Sequence, residues 1–467
     1  MSRKGSTLSL NRREFLAAAI AAPVLGADTK KPVARPNVLL ILADDLAAWM
    51  TGCYGNPDIK TPNIDLLARG GMRFANSFVC TPICSPSRAT LFTGRVPKQH
   101  GIHDFLTAKP VADPPQGQQA PPDSFLNEIM ISDLLAKAGY DCGYVGKWHM
   151  GNDGKPGHGY RFTYTMTGGA RSYTDPEMFL NGEPITEKGY LTDLMTKRAC
   201  EFLNAQSASK PFFLTVGYLN PHTPYEGHPQ KYYDMYAKND FDSVGYEPAA
   251  PNALREKNML KDTLGNIRRA AAATTSLDDQ IPVLLDKLRE RNLLDNTLIV
   301  FTGDNGYLLG RHGLWSKGLA SNPINMYEEV MKVPLIFNWP GRIPTEAVAP
   351  ELVSFYDVLP TLCEATGVEA PKGRNLCGRS FLKIAQREPL PKKERWRNLV
   401  FGSFRNTEMA RDSRYKVITR NGGQGPNELY DLAKDAREKT NLYENPQYIT
   451  VRDSLLKELA AWRQRTV

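Results

Sequence analysis

Several sequence features that mark common functional classes are absent from this chain. Its seven cysteines include no Cys-x-x-Cys pair, so neither a zinc site nor a dithiol redox motif is indicated. No run of basic residues interleaved with aromatics occurs, and the formal charge of +8 is spread along 467 residues. Nucleic-acid binding is therefore not expected, whereas a mild positive charge suits an anionic substrate. Internal repeats and long low-complexity segments are also lacking, which leaves an ordinary globular chain.

The first 27 residues resemble a twin-arginine export signal. Arg12 and Arg13 precede an apolar run over residues 17–27, which ends in the small residues typical of a cleavage site. That run is too short to span a bilayer, and no cysteine follows it to carry a lipid. We therefore expect export through the twin-arginine machinery to the periplasm or the medium, with no stable membrane anchor. An uncleaved N-terminal helix is the alternative.

Apolar runs of strand length alternate with helical patterns along the chain. Predicted strands cover residues 37–43, 72–78, 140–145, 212–217, 297–302 and 333–339. The first is continuously apolar, which is typical of a strand buried on both faces of a parallel sheet. One long helical stretch is predicted over residues 264–292, and a final amphipathic helix over residues 448–465.

Acidic and amide side chains follow two of these predicted strands. Asp44 and Asp45 end the first strand, where open α/β sheets bind their ligands. Adjacent carboxylates repel each other, so if they are buried they require a cation, and oxygen ligands favour calcium or magnesium. A solvated acidic turn is the alternative. Asp304 and Asn305 repeat this chemistry after the strand at 297–302.

Cys84 lies in the segment Thr-Pro-Ile-Cys-Ser-Pro-Ser-Arg, at the expected start of a helix. Ser85 is a favourable N-cap and Pro86 a favourable first helical residue, so we predict a helix that ends near Gly94. The free N–H groups of a helix N-terminus favour negative charge. The position therefore suits a reactive centre that handles anions, although a buried structural cysteine is the commoner role for a single Cys.

Three further side chains are candidates for the same centre. Lys147 and His149 are two residues apart on an extended segment, so both can face one pocket. His222 stands between Pro221 and Pro224, which restrain its backbone and suit a positioned proton donor. Residues 151–189 are rich in Gly and Tyr and suggest a substrate-facing insertion, in which Arg171 is a candidate contact.

These motifs, in this order, resemble the formylglycine-dependent sulfatases, the arylsulfatase-type members of the alkaline phosphatase superfamily. The resemblance rests on Cys-x-Pro-Ser-Arg with Ala-Thr-Leu-x-Thr-Gly-Arg, on Gly-Lys-Trp-His, and on Gly-Asp-Asn-Gly, and it extends over residues 37–441. It implies an α/β fold with a mixed, mostly parallel sheet between helices. A smaller C-terminal α/β subdomain with a short antiparallel sheet is also implied. The implied domains are the signal at 1–27, a catalytic domain at 28–370 and the subdomain at 371–467.

The resemblance also implies the cofactors and the metal ligands. A formylglycine-generating maturation enzyme would oxidise Cys84 to formylglycine, an aldehyde that hydrates to a geminal diol. Export of folded protein by the twin-arginine route would allow this step in the cytoplasm. One calcium ion is expected on Asp44, Asp45, Cys84, Asp304 and Asn305.

Catalytic roles follow from the same resemblance. The diol would attack sulfur, while Arg88, Lys147 and Lys317 neutralise sulfate charge. His149 would then deprotonate the second hydroxyl and regenerate the aldehyde, and His222 with Lys317 would protonate the leaving oxygen. The implied activity is a sulfuric ester hydrolase, and the polar insertions suggest a sulfated carbohydrate as substrate.

One position departs from the family pattern. Many relatives have an acidic residue before the His-Gly that precedes the second lysine, whereas this chain has Arg311. With His312, it is a candidate for binding a neighbouring uronate or sulfate, and a surface arginine is the alternative. Two other functions stay open: a phosphonate or phosphodiester hydrolase of the same superfamily, and an unmatured exported protein that binds sulfated polysaccharide.

Overall fold

The computed structural model describes residues 35–107, 123–166, 168, 172–392 and 394–466. The predicted leader and Arg171 lie outside these residues. The strands in the described part are β1 (Asn37–Asp44), β2 (Met72–Phe78), β3 (Asp141–Lys147), β4 (Phe162–Met166), β5 (Glu177–Leu180), β6 (Glu183–Thr186), β7 (Phe212–Pro221), β8 (Thr297–Gly303), β9 (Leu335–Asn338), β10 (Ala347–Ser354), β11 (Val400–Phe404), β12 (Thr407–Arg411), β13 (Tyr415–Arg420) and β14 (Glu428–Asp431).

Helices connect most of these strands. They are α1 (Pro62–Arg69), α2 (Cys84–Thr93), α3 (Pro97–His100), α4 (Ile131–Lys137), α5 (Leu191–Asn204), α6 (Gln230–Asp234), α7 (Thr263–Asp278), α8 (Ile281–Glu290), α9 (Glu328–Met331), α10 (Val358–Thr366), α11 (Leu382–Ala385) and α12 (Ile449–Arg465).

Strands β1 to β10 form one mixed sheet in the order β10-β2-β9-β8-β1-β7-β3-β4-β5-β6. Its centre is parallel, because β1 pairs in parallel with β7 and β8, and β3 pairs in parallel with β4 and β7. The antiparallel pairs are β2–β9 and β8–β9 on one side of the sheet, and β4–β5 and β5–β6 at its opposite edge. The predicted mixed, mostly parallel sheet is therefore confirmed.

The central strand β1 is buried along its whole length. Leu40 and Leu42 join the hydrophobic core on one face of the sheet, and Leu39 and Ile41 join the core on the other. Each such side chain contributes about 1.5–3 kcal/mol when it leaves water. The continuous apolar run at 37–43 is thus explained by helices that cover both faces.

A second, antiparallel sheet contains β11 to β14 in chain order. The final helix α12 packs against it, and the ring of Trp462 stacks on Phe401 with a centroid distance of 5.3 Å. The predicted short C-terminal sheet is confirmed. Residues 35–467 form one compact unit, and the domain boundary at 370 stays a prediction. Within the described residues, no helix is long and apolar enough to cross a membrane.

Two sequence-based helix predictions differ from the structure. The stretch at 264–292 is two helices, α7 and α8, because the chain turns at Asp279 and Gln280 and the second helix begins at Ile281, with Pro282 in its first turn. Helix α2 begins at Cys84 with Ile83 as its N-cap, so the prediction of Ser85 as N-cap was wrong. Ser85 instead accepts a hydrogen bond from the backbone N–H of Leu106 (3.2 Å).

Candidate active site

The carboxyl ends of four neighbouring strands meet at one edge of the large sheet. Strand β1 ends at Asp44, β8 leads into Asp304, β3 ends at Lys147, and β7 leads into His222. These strands are adjacent in the order β8-β1-β7-β3, so their ends converge. Helix α2 brings its first residue, Cys84, to the same place, and the topology thus assembles the predicted residues.

An acidic cluster occupies the centre of this edge. Ligand atoms of Asp44, Asp45, Cys84 and Asp304 all lie within 4.8 Å of one another, and all four residues are buried. The backbone N–H of Asp45 donates to Asp304 Oδ1 (3.1 Å), and Asn305 Nδ2 donates to Asp45 Oδ1 (2.7 Å). Asn305 Oδ1 is buried, and no described residue forms a hydrogen bond with it. Three carboxylates and an unused amide oxygen form a donor set that fits a hard cation such as calcium.

Two lysines each contact both a carboxylate of this cluster and the sulfur of Cys84. Lys147 Nζ forms an ion pair with Asp44 and lies 3.6 Å from Cys84 Sγ, while Lys317 Nζ pairs with Asp45 and lies 2.9 Å from the same sulfur. Burial acts to raise the pKa of Asp44, but Lys147 and other nearby cations outweigh it, and the net pKa is lowered. The pKa of Lys317 is raised, because the charge of Asp45 overcomes its burial.

The cysteine itself is a neutral thiol in this setting. Burial, together with the negative charge of Asp44, raises the pKa of Cys84. A thiol kept protonated is a poor nucleophile at neutral pH, so the unmodified side chain is not an activated cysteine of the protease type. The other six cysteines also lie within the described residues, and none of the seven forms a disulfide.

Arg88 lies on the first turns of α2 and is fully buried. Its Nε donates to Asp304 Oδ2 (2.8 Å), and its Nη1 donates to the carbonyl of Lys147 (2.5 Å). Although burial opposes the charged form, Asp304 raises the pKa of Arg88. Within the part of the chain that the structure describes, its Nη2 has no hydrogen-bond partner. A buried guanidinium nitrogen with unused donors is suited to hold an anion.

His149 presents one free ring nitrogen. Its Nε2 lies 3.2 Å from the carbonyl oxygen of Leu106, which can only accept, so Nε2 carries the proton. Its Nδ1 is then an unprotonated acceptor, and it is buried without a partner among the described residues. Burial and the charges of Lys147 and Arg88 hold the pKa of His149 far below its usual value. The ring is therefore neutral and able to accept a proton.

His222 has the opposite arrangement of its ring nitrogens. Nδ1 donates to the carbonyl of Thr223 (2.5 Å), which leaves Nε2 3.6 Å from Asp45 Oδ2. The Tyr173 hydroxyl donates to the His222 carbonyl (2.9 Å) and fixes the backbone. With Nδ1 committed to a carbonyl, any proton that His222 gives up in the site comes from Nε2.

Two of these residues have strained backbones. Asp45 has a φ of +66° and His149 a φ of +57°, in the left-handed region that non-glycine residues seldom occupy. The His149 N–H donates to Asp153 Oδ1 (3.1 Å), whose other oxygen accepts from the N–H of Gly168 (2.8 Å). Asp153 is a positioning residue that sequence reasoning missed, because an isolated Asp in a polar loop carries no local signal.

Arg311 and His312 lie beside this cluster on a short turn. Arg311 stacks over the ring of Trp49 (3.7 Å) and pairs with Glu329 (3.5 Å). His312 stacks on Tyr327 (3.9 Å between centroids) and its Nε2 contacts Glu329 Oε2 (3.2 Å). Their described contacts are thus internal, and their contact with substrate stays a prediction, as does that of Arg171.

The family of the chain is shown by comparison of its sequence with family models. The Sulfatase family model matches residues 36–368, and the model of the N-sulphoglucosamine sulphohydrolase C-terminal region matches residues 310–465. The chain belongs to the sulfatase family, in the alkaline phosphatase superfamily, and is a sulfuric ester hydrolase. The resemblance inferred from the motifs is confirmed.

Individual relatives and a solved structure are similar over nearly the whole chain. An N-acetylglucosamine-6-O-sulfatase of Bacteroides thetaiotaomicron is 26% identical, covering 98% of this chain and 91% of the relative. An ulvan-active sulfatase of Formosa agariphila is 27% identical, covering 92% of this chain and 80% of the relative. A structure solved in complex with its substrate D-glucosamine-2-N,6-O-disulfate has a TM-score of 0.78 at 24% identity, covering 92% of this chain and 98% of that one, and it supports the fold.

Proposed function

We propose that this enzyme hydrolyses sulfate esters of a carbohydrate at the Cys84 centre. The observation that carries the proposal is one buried cluster in which Lys147 and Lys317 contact Cys84 and Arg88 pairs with Asp304, with a proton-accepting and a proton-donating histidine nearby. The names of two relatives, the N-acetylglucosamine-6-O-sulfatase and the ulvan-active sulfatase, favour a sulfated sugar as substrate.

A calcium ion fits the acidic cluster. Asp44, Asp45, Asp304 and the Oδ1 atom of Asn305 would hold it, beside the modified side chain of residue 84. Buried carboxylates this close repel each other, and although Lys147, Lys317 and Arg88 each pair with one of them, the Oδ1 atom of Asn305 has no donor among the described residues. When bound, the ion would polarise a sulfate oxygen and lower the pKa of a hydroxyl next to it.

Formylglycine at position 84 would supply the nucleophile that the neutral thiol cannot. Hydrated formylglycine would supply two hydroxyl groups at this position, one as the nucleophile towards sulfur and one whose loss of a proton would release sulfate by elimination. Residue 84 is the first residue of α2, where free N–H groups and the helix dipole favour an anion. We therefore assign maturation of Cys84 to a formylglycine-generating enzyme.

The three cations would bind the sulfate group and stabilise charge that develops on it. Arg88 has an unused Nη2, and its position is fixed by Asp304 and by the carbonyl of Lys147. Lys147 and Lys317 contact Cys84 Sγ directly and so would lie beside the reacting sulfur centre. Preorganised charge in a dry pocket is among the largest contributions to catalysis.

The two histidines divide the proton transfers. His149 would accept the proton of the second hydroxyl at Nδ1, because its Nε2 is committed to the Leu106 carbonyl. His222 would donate from Nε2 to the leaving oxygen, since its Nδ1 is committed to Thr223, and Lys317 would assist. Fixed tautomers of this kind give each ring one role.

The activity is tested with matured, calcium-loaded enzyme on matched esters. We expect release of sulfate from 4-nitrophenyl sulfate and from at least one sulfated saccharide, and much slower release of phosphate from 4-nitrophenyl phosphate. Cys84→Ala should lose the sulfatase activity. Faster cleavage of phosphate or phosphonate esters than of every sulfate ester would overturn the proposal in favour of a phosphonate or phosphodiester hydrolase. Binding of sulfated glycans without any turnover would favour a binding protein.

Export is the remaining part of the proposal. The paired arginines at 12 and 13 would direct the folded, matured chain to the twin-arginine machinery. An Arg12→Lys, Arg13→Lys double variant should accumulate in the cytoplasm, while the wild type is recovered from the periplasm or medium. Equal export of both would contradict this route.

A further inference from the structure

We propose that Asn220 and Tyr190 are positioning residues that hold the proton donor, His222, through a buried hydrogen-bond network behind the active site. The inference rests on the proposed function, because it concerns the histidine assigned there as the acid. It adds two residues that carry no role in the motifs of the sequence.

Asn220 is fully buried near the end of β7, two residues before His222. Its Oδ1 accepts a hydrogen bond from Thr192 Oγ1 of α5 (2.7 Å). Its Nδ2 donates to Ser276 Oγ (2.9 Å) and to the Ala273 carbonyl (3.2 Å), which both belong to α7. The amide therefore ties the end of the strand to two different helices.

The amide of Asn220 has no donor left for the substrate. Its Nδ2 carries two hydrogens, and both are used on the side of α7. A buried polar group whose hydrogen bonds are satisfied fixes one local arrangement, because a displaced arrangement leaves a donor or an acceptor unpaired. Asn220 is thus suited to fix the backbone and to act on the reaction only through His222.

Tyr190 extends this network at the start of α5. Its hydroxyl donates to Ser276 Oγ (2.8 Å), and Ser276 in turn donates to the Ala273 carbonyl (2.8 Å). The Tyr190 oxygen also accepts from Asn220 Nδ2 (3.3 Å). Since the tyrosine proton is used on Ser276, His228 Nδ1, which lies 2.7 Å from the same oxygen, is the donor of that contact. The direction of each hydroxyl is thereby fixed.

His228 links Tyr190 to the tyrosine that holds the His222 carbonyl. Its ring centroid lies 4.2 Å from that of Tyr173 and 5.7 Å from that of Tyr190. Burial lowers the pKa of His228 to about 4, so the ring is neutral and keeps one proton near neutral pH. The network and the hydrogen bond from Tyr173 to His222 therefore form one packed unit.

The short link from Asn220 to His222 transmits this arrangement. Pro221 is the single residue between them, and its ring restrains its backbone φ. The His222 N–H donates to the Leu219 carbonyl (2.9 Å), and the His222 carbonyl accepts from the Tyr173 hydroxyl (2.9 Å). The backbone of the histidine is thus held on both sides, and loss of the network should misplace its imidazole.

The test uses two aryl sulfates that differ in how strongly they require a proton on the leaving oxygen. 4-Nitrophenyl sulfate releases a stabilised phenolate, whereas phenyl sulfate releases a more basic oxygen that depends on the acid. The measured quantity is kcat/KM for 4-nitrophenyl sulfate divided by kcat/KM for phenyl sulfate, on matured, calcium-loaded enzyme. A misplaced acid raises this ratio, whereas a loss of folded enzyme lowers both values equally and leaves the ratio unchanged.

Two variants and a matched control assign the effect to this network. We expect the ratio to rise about tenfold in Asn220→Ala and severalfold in Tyr190→Phe, since misplacement forfeits part of what an acid contributes. Asn37 is also buried and lies at the opposite end of the sheet, where it accepts from the Phe212 N–H (3.2 Å) and donates to Thr297 Oγ1 (3.3 Å). Asn37→Ala should keep the wild-type ratio.

A double variant tests whether the network acts through the histidine. His222→Ala should raise the ratio by itself, and adding Tyr190→Phe should raise it no further, because the acid is already lost. The inference fails if Tyr190→Phe keeps the wild-type ratio, if Asn37→Ala raises it equally, or if the effects of the double variant multiply. Tyr190→Phe decides the matter should Asn220→Ala not fold.

Failure of the proposed function gives a different pattern. A wild-type ratio in His222→Ala would remove this histidine as the acid, and a wild type that releases no sulfate from either ester would remove the sulfatase; each result overturns the inference as well. A raised ratio in His222→Ala, with wild-type ratios in Asn220→Ala and Tyr190→Phe, would remove only the positioning role.

Discussion

At the scale of single residues, hydrogen bonds determine what each side chain can do. His149 and His222 both have imidazole side chains near Cys84, but they differ in the ring nitrogen that donates a hydrogen bond to a backbone carbonyl. In His149 this nitrogen is Nε2, and in His222 it is Nδ1. His149 is thereby left with a buried acceptor and His222 with a ring nitrogen that faces Asp45. These contacts support the proposed roles of His149 as base and His222 as acid.

Replacing the acceptor on His149 tests its role. His149→Gln should lower kcat by about 100- to 10,000-fold, the range typical of a lost general base, with a much smaller change in KM. His158, which contacts Asp133 (3.0 Å) and stacks on Trp148, the neighbour of His149, is the control. His158→Gln should keep most of the activity. Equal losses in both variants would indicate a shared structural effect. Steady-state kinetics on 4-nitrophenyl sulfate supply the measurement.

Calcium binding can be measured without turnover. Because the ion binds only the folded chain, saturating calcium should raise the melting temperature, by a stabilisation of about 2.7 kcal/mol at a hundredfold excess over Kd. Asp304→Asn should abolish most of this increase, and a chelator should reverse it in the wild type. Asp175, an exposed partner of Lys188, provides the control variant Asp175→Asn, which should respond as the wild type does. A calcium response that survives in Asp304→Asn would contradict the assigned ligands.

At the scale of secondary-structure elements, close backbone contact between β3 and β7 aims the lysine and histidine. Gly146 has a φ of +105° and pairs with Gly217, and a Cβ on Gly146 would stand 2.1 Å from the Gly217 carbonyl oxygen. The chain then continues directly into Lys147 and His149. Only glycine fits this position, since both the conformation and the space exclude a side chain.

Substitution of Gly146 should therefore disturb stability and activity together. Gly146→Ala would place a side chain on a residue with positive φ and against the backbone of β7. We therefore expect the free energy of unfolding to fall by more than about 2 kcal/mol, with a large drop in kcat. Gly139 offers a matched control, because it has a φ of +93° but nothing within 4 Å of its Cβ position. Gly139→Ala should lower the free energy of unfolding only by the cost of a side chain at positive φ, about 1–2 kcal/mol. Denaturant unfolding of both variants measures the difference, and equal losses would contradict the clash.

Much of this arrangement can be predicted from local sequence, and some of it cannot. The apolar run before Asp44 and Asp45 predicted both a buried strand and a cation site at its end, because burial on two faces leaves a clear pattern. The break at Asp279 was missed, since Pro282 is tolerated in the first turn of α8 and the apolar spacing continues across the turn. Asp153 gave no signal, because its contacts to His149 and Gly168 are made from an irregular loop.

At the scale of the whole molecule, the hydrophobic core on one face of the large sheet also includes residues of the small sheet. Phe404, Met409 and Ile418 of the small sheet belong to the same cluster as Val330 and Met331 of the main sheet region. A buried ionic group reinforces this contact. Lys416 of β13 pairs with Glu438 and with Glu328 Oε1 (3.2 Å), and the N–H of Glu328 donates to Glu438 Oε2 (2.6 Å).

This buried group should make stability depend on pH. Burial and the nearby Glu328 raise the pKa of Glu438 to about 8, although Lys416 opposes the shift. Between its ordinary pKa of 4.5 and about 8, the folded chain holds a proton that the unfolded chain has released, so stability falls as the pH rises over this range and levels off above it. Glu438→Gln removes this titration, and its melting temperature relative to the wild type should increase between about pH 5 and pH 8. Glu444→Gln, at an exposed site, is the control, and a constant difference for Glu438→Gln would contradict the assignment.

The most direct test of the central claim is the mass of the peptide over residues 74–88, from enzyme made with a maturation system. This peptide contains both Cys80 and Cys84, so alkylation of Cys80 serves as an internal control. We predict that residue 84 has exchanged the elements of H2S for oxygen, resists alkylation and reacts with a hydrazide, and that this fraction matches the active fraction. An alkylated thiol at both positions in fully active enzyme would contradict a formylglycine sulfatase.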